Sequence, residues 1–322
     1  MLVTGGAGYI GSHVVLALRE AGHSVIVLDD FSTGRREAIP NGVILVEGDA
    51  GDSGITAQLF ERHRVEAVIH FAGSIVVPES VRRPLDYYRN NTCASRNLLA
   101  SCVVQGVRHL VFSSTAAVYG SPARVPVTED TPTAPINPYG ASKLMTEWML
   151  RDTAAAHSLT YAALRYFNVA GADPQGRVGQ STPFATHLIK VACEAAVGRR
   201  THVELFGDDY DTPDGTCIRD YIHVSDLADA HVKALEYLAA GRGNVVLNCG
   251  YGRGHSVREV LASVQRVAKP FEVRRAVRRP GDAAILVADA TRLRGTLQWE
   301  PRFGDLDAIV ETALAWERRR AG

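Results

Sequence analysis

The chain has 322 residues, room for two closely associated domains, because single cores stop growing at roughly 250–300 residues. Its 35 Lys and Arg balance 35 Asp and Glu, so no overall field draws it toward nucleic acid or an anionic membrane, and neither is expected as a partner. The longest uncharged apolar run, AVIHFAGSIVV (67–77), is far short of the roughly 20 residues that a membrane helix needs.

Apolar, β-rich runs alternate with helical patterns through the first half. Strands are expected at MLVT, SVIVLD, VILVEG, EAVIHFA, HLVFSS and YAALRYF, with helices near 11–21, 53–63, 85–105 and 139–157. This alternation predicts an α/β fold, a Rossmann-type doubly wound parallel sheet with helices on both faces. Beyond about residue 168 come the Gly- and Asp-rich segments GADPQGRVGQ and GDDYDTPDGTCIRD, a helix near 225–240 and a smaller mixed α/β region. The expected domains are 1–168 and 169–322, the chain returning to the first near 220–248. The chain opens in an apolar strand rather than a signal peptide, and its five cysteines are scattered without a CxxC pair. These features predict a cytoplasmic protein with reduced thiols and no metal site.

VTGGAGYIGSH places Gly5, Gly8 and Gly11 between the first strand and first helix. At such a junction Gly5 permits a tight turn, Gly8 lets a pyrophosphate approach the backbone, and Gly11 packs helix on strand, with N–H groups of the helix start facing the anion. The spacing alone is also met in simple turns. Asp29 closes the second strand, where a carboxylate binds adenosine ribose hydroxyls and repels a 2′-phosphate, so the expected cofactor is NAD rather than NADP. Arg35 and Arg36 follow in a loop, where they read as solvated surface or as ligands of that phosphate. Asp49 either reaches the adenine or shapes a turn.

NPYGASKLMTEWML sets Tyr139 and Lys143 four apart at a helix start, on one face. Free tyrosine is a poor base at neutral pH, but a lysine ammonium and a pyridinium both stabilise its phenolate. Tyr139 is therefore the candidate general base. Lys143 would also bind nicotinamide ribose, and Thr115 or Ser114 at a strand end would bond the substrate hydroxyl. As a bare spacing, Y-x-x-x-K is common on helix surfaces.

Together these motifs resemble the extended short-chain dehydrogenase/reductase family, most closely its members that invert C4 of a UDP-hexose. The likeness covers nearly the whole chain and is carried by TGGAGYIGSH, VIHFAG, ESV, FSSTAAVYG, PYGASKLMTE, LRYFNVAGA, VGRR, DGTCIRDYIHVSDLADAH and RRPGD. The resemblance implies cofactor contacts at Tyr9, Ile10, Asp30, Ala50, Phe71, Ala72, Gly73, Asn91, Ser113 and Tyr166. It implies a UDP-sugar site at Asn168, Leu205, Phe206, Arg219, Arg279 and Asp282, the two arginines gripping the diphosphate and Asp282 the uridine ribose. Without the family, Asn91 reads as a helix-surface residue, and Tyr166 and Phe167 as core.

Relatives that dehydrate or decarboxylate a sugar carry an acid after the strand-end hydroxyls, where this chain has Ala116 and Ala117. The resemblance thus implies interconversion of UDP-galactose and UDP-glucose through a 4-keto sugar, with NAD transiently reduced and never released. UDP-N-acetylhexosamines, UDP-pentoses or a different nucleotide-sugar dehydratase or reductase are the alternatives. It further implies a homodimer through the helices at 85–105 and 139–157, and a place in galactose metabolism. Three positions depart from the pattern. Ser74 and Ile75 stand where some relatives have a lysine. His187 replaces asparagine and either donates to diphosphate or is structural, and Leu286 replaces a tyrosine that narrows the sugar pocket. His13 and Cys217 read as structural.

Overall fold

A computed structural model describes residues 1–182, 185–279 and 282–321. In chain order the strands are β1 (Leu2–Thr4), β2 (Ile26–Asp29), β3 (Ile44–Glu47), β4 (Ala67–His70), β5 (His109–Thr115), β6 (Thr160–Tyr166), β7 (Asn168–Ala170), β8 (His202–Phe206), β9 (Ile218–His223), β10 (Val245–Cys249), β11 (Gly254–Ser256), β12 (Glu272–Ala276) and β13 (Ile285–Leu286). The chain forms two compact units. The first comprises Met1–Gly120, Pro132–Arg165 and Ala228–Leu247; the second comprises Ser121–Thr131, Tyr166–Leu227 and Asn248–Gly322. The excursion of 121–131 into the second unit, at the start of a proline-rich stretch, was not expected, and the junction falls at 165/166 rather than 168.

The first unit is built on a seven-stranded sheet of order β10-β6-β5-β4-β1-β2-β3, the Rossmann-type order in which the chain reverses direction of growth beside β1. β1 pairs in parallel with both β2 and β4, and β2 with β3 and β4 with β5 do likewise. β1, β2 and β4 are buried at every residue, as strands covered on both faces must be, which explains their continuous apolar runs. Edge strand β3 leaves Ile44 exposed. Helix α1 (Tyr9–Glu20) follows β1, and α2 (Ser53–His63) starts on an Asp52 cap that accepts from the Gly54 and Ile55 amides.

The helix expected at 85–105 is instead a chain of short pieces. α3 (Val77–Arg82) ends before Pro84, whose ring cannot continue it and which starts α4 (Pro84–Tyr87). A π-helical turn at Tyr88–Cys93 then leads into α5 (Ala94–Val104). α6 (Pro138–Ala156) carries Asn137 as its cap, the side chain accepting from the Gly140 amide.

In the second unit β9 is central: β7 and β13 pair with it in parallel and β11 antiparallel, while β12 and β8 form a separate parallel pair. α7 (Leu188–Ala196) begins this unit's helices. α8 (Val224–Ala239) carries the chain back into the first unit, and α9 (Val257–Val267), α10 (Thr291–Leu297) and α11 (Leu306–Ala321) complete the second. Its core gathers Ile189, Val203, Leu205, Val260 and Val310 from α7, β8, α9 and α11. No helix among the described residues is long and apolar enough to cross a membrane.

Candidate active site

The glycine loop is shaped by close backbone approach. Gly5 has φ +68°, and a Cβ there would lie 2.6 Å from the Ala72 nitrogen, so only glycine lets β1 turn beside the end of β4. At Gly11 a Cβ would come 2.2 Å from the Gly5 carbonyl oxygen. Gly11 therefore seats α1 on its own loop, not on the strand as the spacing implied. Gly8 caps α1 without a side chain, leaving the first-turn N–H groups of Ile10 and Gly11 with no intrahelical acceptor, which is what a pyrophosphate requires. Tyr9 packs edge-on against His13, 5.4 Å between centroids, and its carbonyl oxygen accepts from the buried His13 ring, which is structural as expected.

Asp29 is buried at the end of β2 and accepts from the Ala7 amide at 2.8 Å and the Phe31 amide at 2.9 Å. Burial pushes its carboxyl up from the ordinary range, and the two amides oppose that shift. Asp30 turns outward to the Ser32 amide and hydroxyl. Arg36 is committed to Glu47 and lies 4.2 Å over the Phe31 ring, and Arg35 is exposed, so both follow their solvated reading. Asp49 is exposed and shapes a turn through the Gly51 amide at 2.7 Å, next to buried Ala50.

Asn91 corrects the sequence expectation of a helix-surface residue. It sits in the π-helical turn and is 2% exposed. Its Oδ1 accepts from the Ser74 amide at 2.7 Å; its Nδ2 donates to the Ser74 carbonyl and to the Ser142 hydroxyl, both at 3.0 Å. Gly73, in the segment after β4, would place a Cβ 2.9 Å from Asn91 Oδ1. Phe71, just before it, packs 4.9 Å from the His231 ring.

The strand end of β5 and the start of α6 bring the predicted chemistry together. Thr115 hydrogen-bonds the Tyr139 hydroxyl, while the neighbouring Ser114 turns away and donates to Glu147, so the strand's alternation resolves which hydroxyl faces the site. Lys143 is buried, and its Nζ donates to the Ser113 carbonyl at 2.9 Å and lies 5.0 Å from the Phe112 ring centroid. Burial lowers the Lys143 ammonium to about 8 and raises the Tyr139 phenol, the Thr115 bond working against that rise. Buried charge is thus opposed on both residues, and a further cation beside them would tip tyrosine toward phenolate. Beneath them His70 is held between the Thr4 hydroxyl at 2.6 Å and the Ser95 hydroxyl at 2.8 Å, pushed down to about 3 by burial and then by Lys143. It is neutral at any physiological pH. Ala116 and Ala117 follow, with the Ala117 carbonyl oxygen 2.6 Å from where a Gly140 Cβ would stand.

In the second unit, Arg279 pairs with Asp282 at 3.0 Å and stacks 4.6 Å from the Phe206 centroid. These three predicted residues come together; Pro280 and Gly281 of the same motif lie outside the described residues. Arg219 on β9 donates to the carbonyls of Ile218 at 2.9 Å and Ala284 at 3.4 Å, and its ladder partner on β13 is Leu286. Asn168 starts β7, opposite Tyr221. Leu205 differs from expectation, because alternation along β8 sends its side chain into the core with Val203, while Phe206 faces the other way. Tyr166 and Phe167 are buried, matching their core reading. His187 opens α7 with its Nδ1 bonded to Gln180 at 2.9 Å, and burial holds it below the ordinary histidine range. It lines a small pocket with Gln180, Lys190, Trp316 and Glu317. Ile75 is exposed, Cys217 is buried, and Arg274 and Arg275 are exposed partners of Glu272 and Asp208.

A glycine-lined phosphate loop, a buried ribose carboxylate and a Tyr–Lys–Thr constellation on one Rossmann-type unit define an NAD-dependent enzyme acting on a hydroxyl-bearing substrate. The chain belongs to the NAD dependent epimerase/dehydratase family, whose profile matches residues 1–250. It is 63% identical over 319 residues to the UDP-glucose 4-epimerase of Azospirillum brasilense, spanning 99% of this chain and 92% of that protein. The crystal structure of the Brucella ovis UDP-glucose 4-epimerase in complex with NAD is 46% identical and superposes with a TM-score of 0.94 over 98% of this chain and 97% of that one. The UDP-Glc/GlcNAc 4-epimerase of Campylobacter jejuni is also 46% identical, with a TM-score of 0.86 over 99% and 98% of the two chains.

Sequence reasoning passed over the buried Glu147–Arg165 pair and His70. A signal for the first was available: Arg165 is a lone charge in the apolar run YAALRYF, and Glu147 lies one helical turn beyond Lys143.

Proposed function

We propose that this chain interconverts UDP-galactose and UDP-glucose by inverting C4, using NAD that stays bound. The observation that carries this reading is the Thr115–Tyr139 bond with Lys143 on the same helix face, followed by Ala116 and Ala117 in place of an acid. The relatives' names agree with it. Bound NAD supplies the oxidising and then the reducing equivalent at C4. Gly5, Gly8, Tyr9, Ile10 and Gly11 would hold its pyrophosphate and Asp29 and Asp30 its adenosine ribose, with Asp49 and Ala50 near the adenine. Phe71, Ala72, Gly73, Asn91, Ser113 and Tyr166 would line the nicotinamide half. Tyr139 takes the C4 hydroxyl proton, Lys143 stabilises the phenolate, and Thr115 orients hydroxyl and phenol. The 4-keto sugar then presents its opposite face, and Tyr139 returns the proton there. Without an acid at 116 or 117 no dehydration competes. Asn168, His187, Phe206, Arg219 and Arg279 would hold the diphosphate-sugar, the arginines as planar forks, and Asp282 the uridine ribose.

Incubating the purified protein with UDP-galactose and no added cofactor tests this: UDP-glucose should accumulate, and Tyr139→Phe should slow it at least ~10²-fold. A dehydrated or unchanged sugar overturns the reading. Leu286, beside Arg219, favours a second substrate class, UDP-N-acetylhexosamine, because leucine leaves room that tyrosine fills. The chain is further read as a cytoplasmic homodimer serving galactose metabolism. Five free thiols favour a reducing compartment. Leu85, Val104 and Trp148 are exposed apolar residues on the helices expected to pair, so light scattering should return a dimer mass; a monomer mass removes the assignment.

A further inference from the structure

Glu147 and Arg165 are a charged pair inside the first unit, their side chains only 6% and 8% exposed. The guanidinium grips the carboxylate as a fork, Nε to Oε1 at 2.9 Å and Nη2 to Oε2 at 2.5 Å. Ser114 donates to the same carboxylate, and Arg165 Nη1 donates to the Tyr119 hydroxyl at 2.9 Å. Burying two charges in this way gains little or nothing over packing apolar residues of the same volume, so general stability does not account for the pair. Its placement does. Each anchor adjoins a residue of the proposed site: Ser114 precedes Thr115, Glu147 lies one helical turn beyond Lys143, and Arg165 precedes Tyr166. The fork also occupies both oxygens of Glu147, so Lys143, four residues earlier on α6, keeps its ammonium on the Ser113 carbonyl.

We infer that Glu147 and Arg165 are positioning residues, pinning α6 to the ends of β5 and β6 so that Tyr139, Thr115 and Lys143 hold their mutual geometry. The inference rests on the proposed function for its kinetics, but the geometry also has a readout without turnover. The test is the double variant Glu147→Met/Arg165→Met, purified with its NAD. Apolar side chains of similar volume should leave the unfolding midpoint and bound NAD close to wild type. The phenol of residue 139, followed by ultraviolet difference titration against Tyr139→Phe, should titrate at higher pH as Thr115 and Lys143 drift from it. With UDP-galactose, kcat should fall about 10- to 100-fold while KM stays within about 3-fold, the pattern of a misplaced catalytic group. A folded double variant with an unmoved Tyr139 titration and kcat within about 2-fold of wild type overturns the inference. Should the double variant not fold, Ser114→Ala removes one anchor hydroxyl; an unshifted Tyr139 titration in that variant overturns it equally. A wild-type protein inert toward UDP-galactose would count against the proposed function, while the titration still decides the role of the pair.

Discussion

Lys143 is held where a charge is unwelcome, and replacing it should separate stability from activity. Its ammonium drops from the ordinary 10.5 to about 8 through burial. At about 1.4 kcal/mol per pH unit, keeping that charge costs the fold about 3 kcal/mol near neutrality. Lys143→Met removes the charge and fills most of the volume, at the loss of one donor to the Ser113 carbonyl worth about 1 kcal/mol. The net gain of about 2 kcal/mol should raise the calorimetric midpoint by a few degrees at pH 7, measured on cofactor-stripped protein so that NAD binding does not contribute. The sign against pH follows from linkage. Below pH 8 the lysine is charged folded and unfolded, and the full penalty applies. Between 8 and 10.5 the folded chain sheds its proton first, so wild type regains stability as pH rises and the advantage of the variant shrinks to about zero by pH 10. An advantage that stayed flat from pH 7 to 10, or a variant less stable than wild type at pH 7, would refute the argument. Activity should fall sharply in the same variant, since the phenolate loses its cation.

Gly11→Ala should abolish NAD retention and lower the unfolding free energy by about 1–3 kcal/mol, because its Cβ would stand 2.2 Å from the Gly5 carbonyl oxygen; NAD absorbance and urea unfolding of the purified variant read the two effects. Asp220, wholly buried on β9, accepts from the amides of Tyr251, Gly252 and Ala288, so Asp220→Ala should cost at least ~2 kcal/mol in urea unfolding, a near-neutral effect removing it as an anchor. Leu286→Tyr should depress turnover of UDP-GlcNAc at least ~10-fold relative to UDP-glucose; equal loss on both sugars would mean that the residue does not gauge the acetamido group.

The first unit was largely legible because its signals are local. Buried parallel strands such as IVLD and AVIH are continuous apolar runs, the glycine loop must sit at the β1–α1 junction, and a four-residue spacing fixes Tyr139 and Lys143 on one face. What escaped depends on contacts between distant segments. Asn91 looks like a surface polar residue until the π-helical turn rotates it inward to Ser74 and Ser142. The choice between Ser114 and Thr115 needed the position of Glu147, thirty-three residues away. In the second unit Leu205 was expected at the UDP-sugar from the resemblance alone, whereas alternation along β8 turns its side chain into the core.

The first unit is assembled from three separate stretches of chain, the last supplying most of α8 and the edge strand β10. Truncation after the glycine-loop half therefore cannot deliver a working cofactor module. A fragment ending at residue 168 would leave β6 with a bare row of amides and carbonyls, open to pairing with other chains. Evolution can trade loops on such a protein, but it cannot cut it in two.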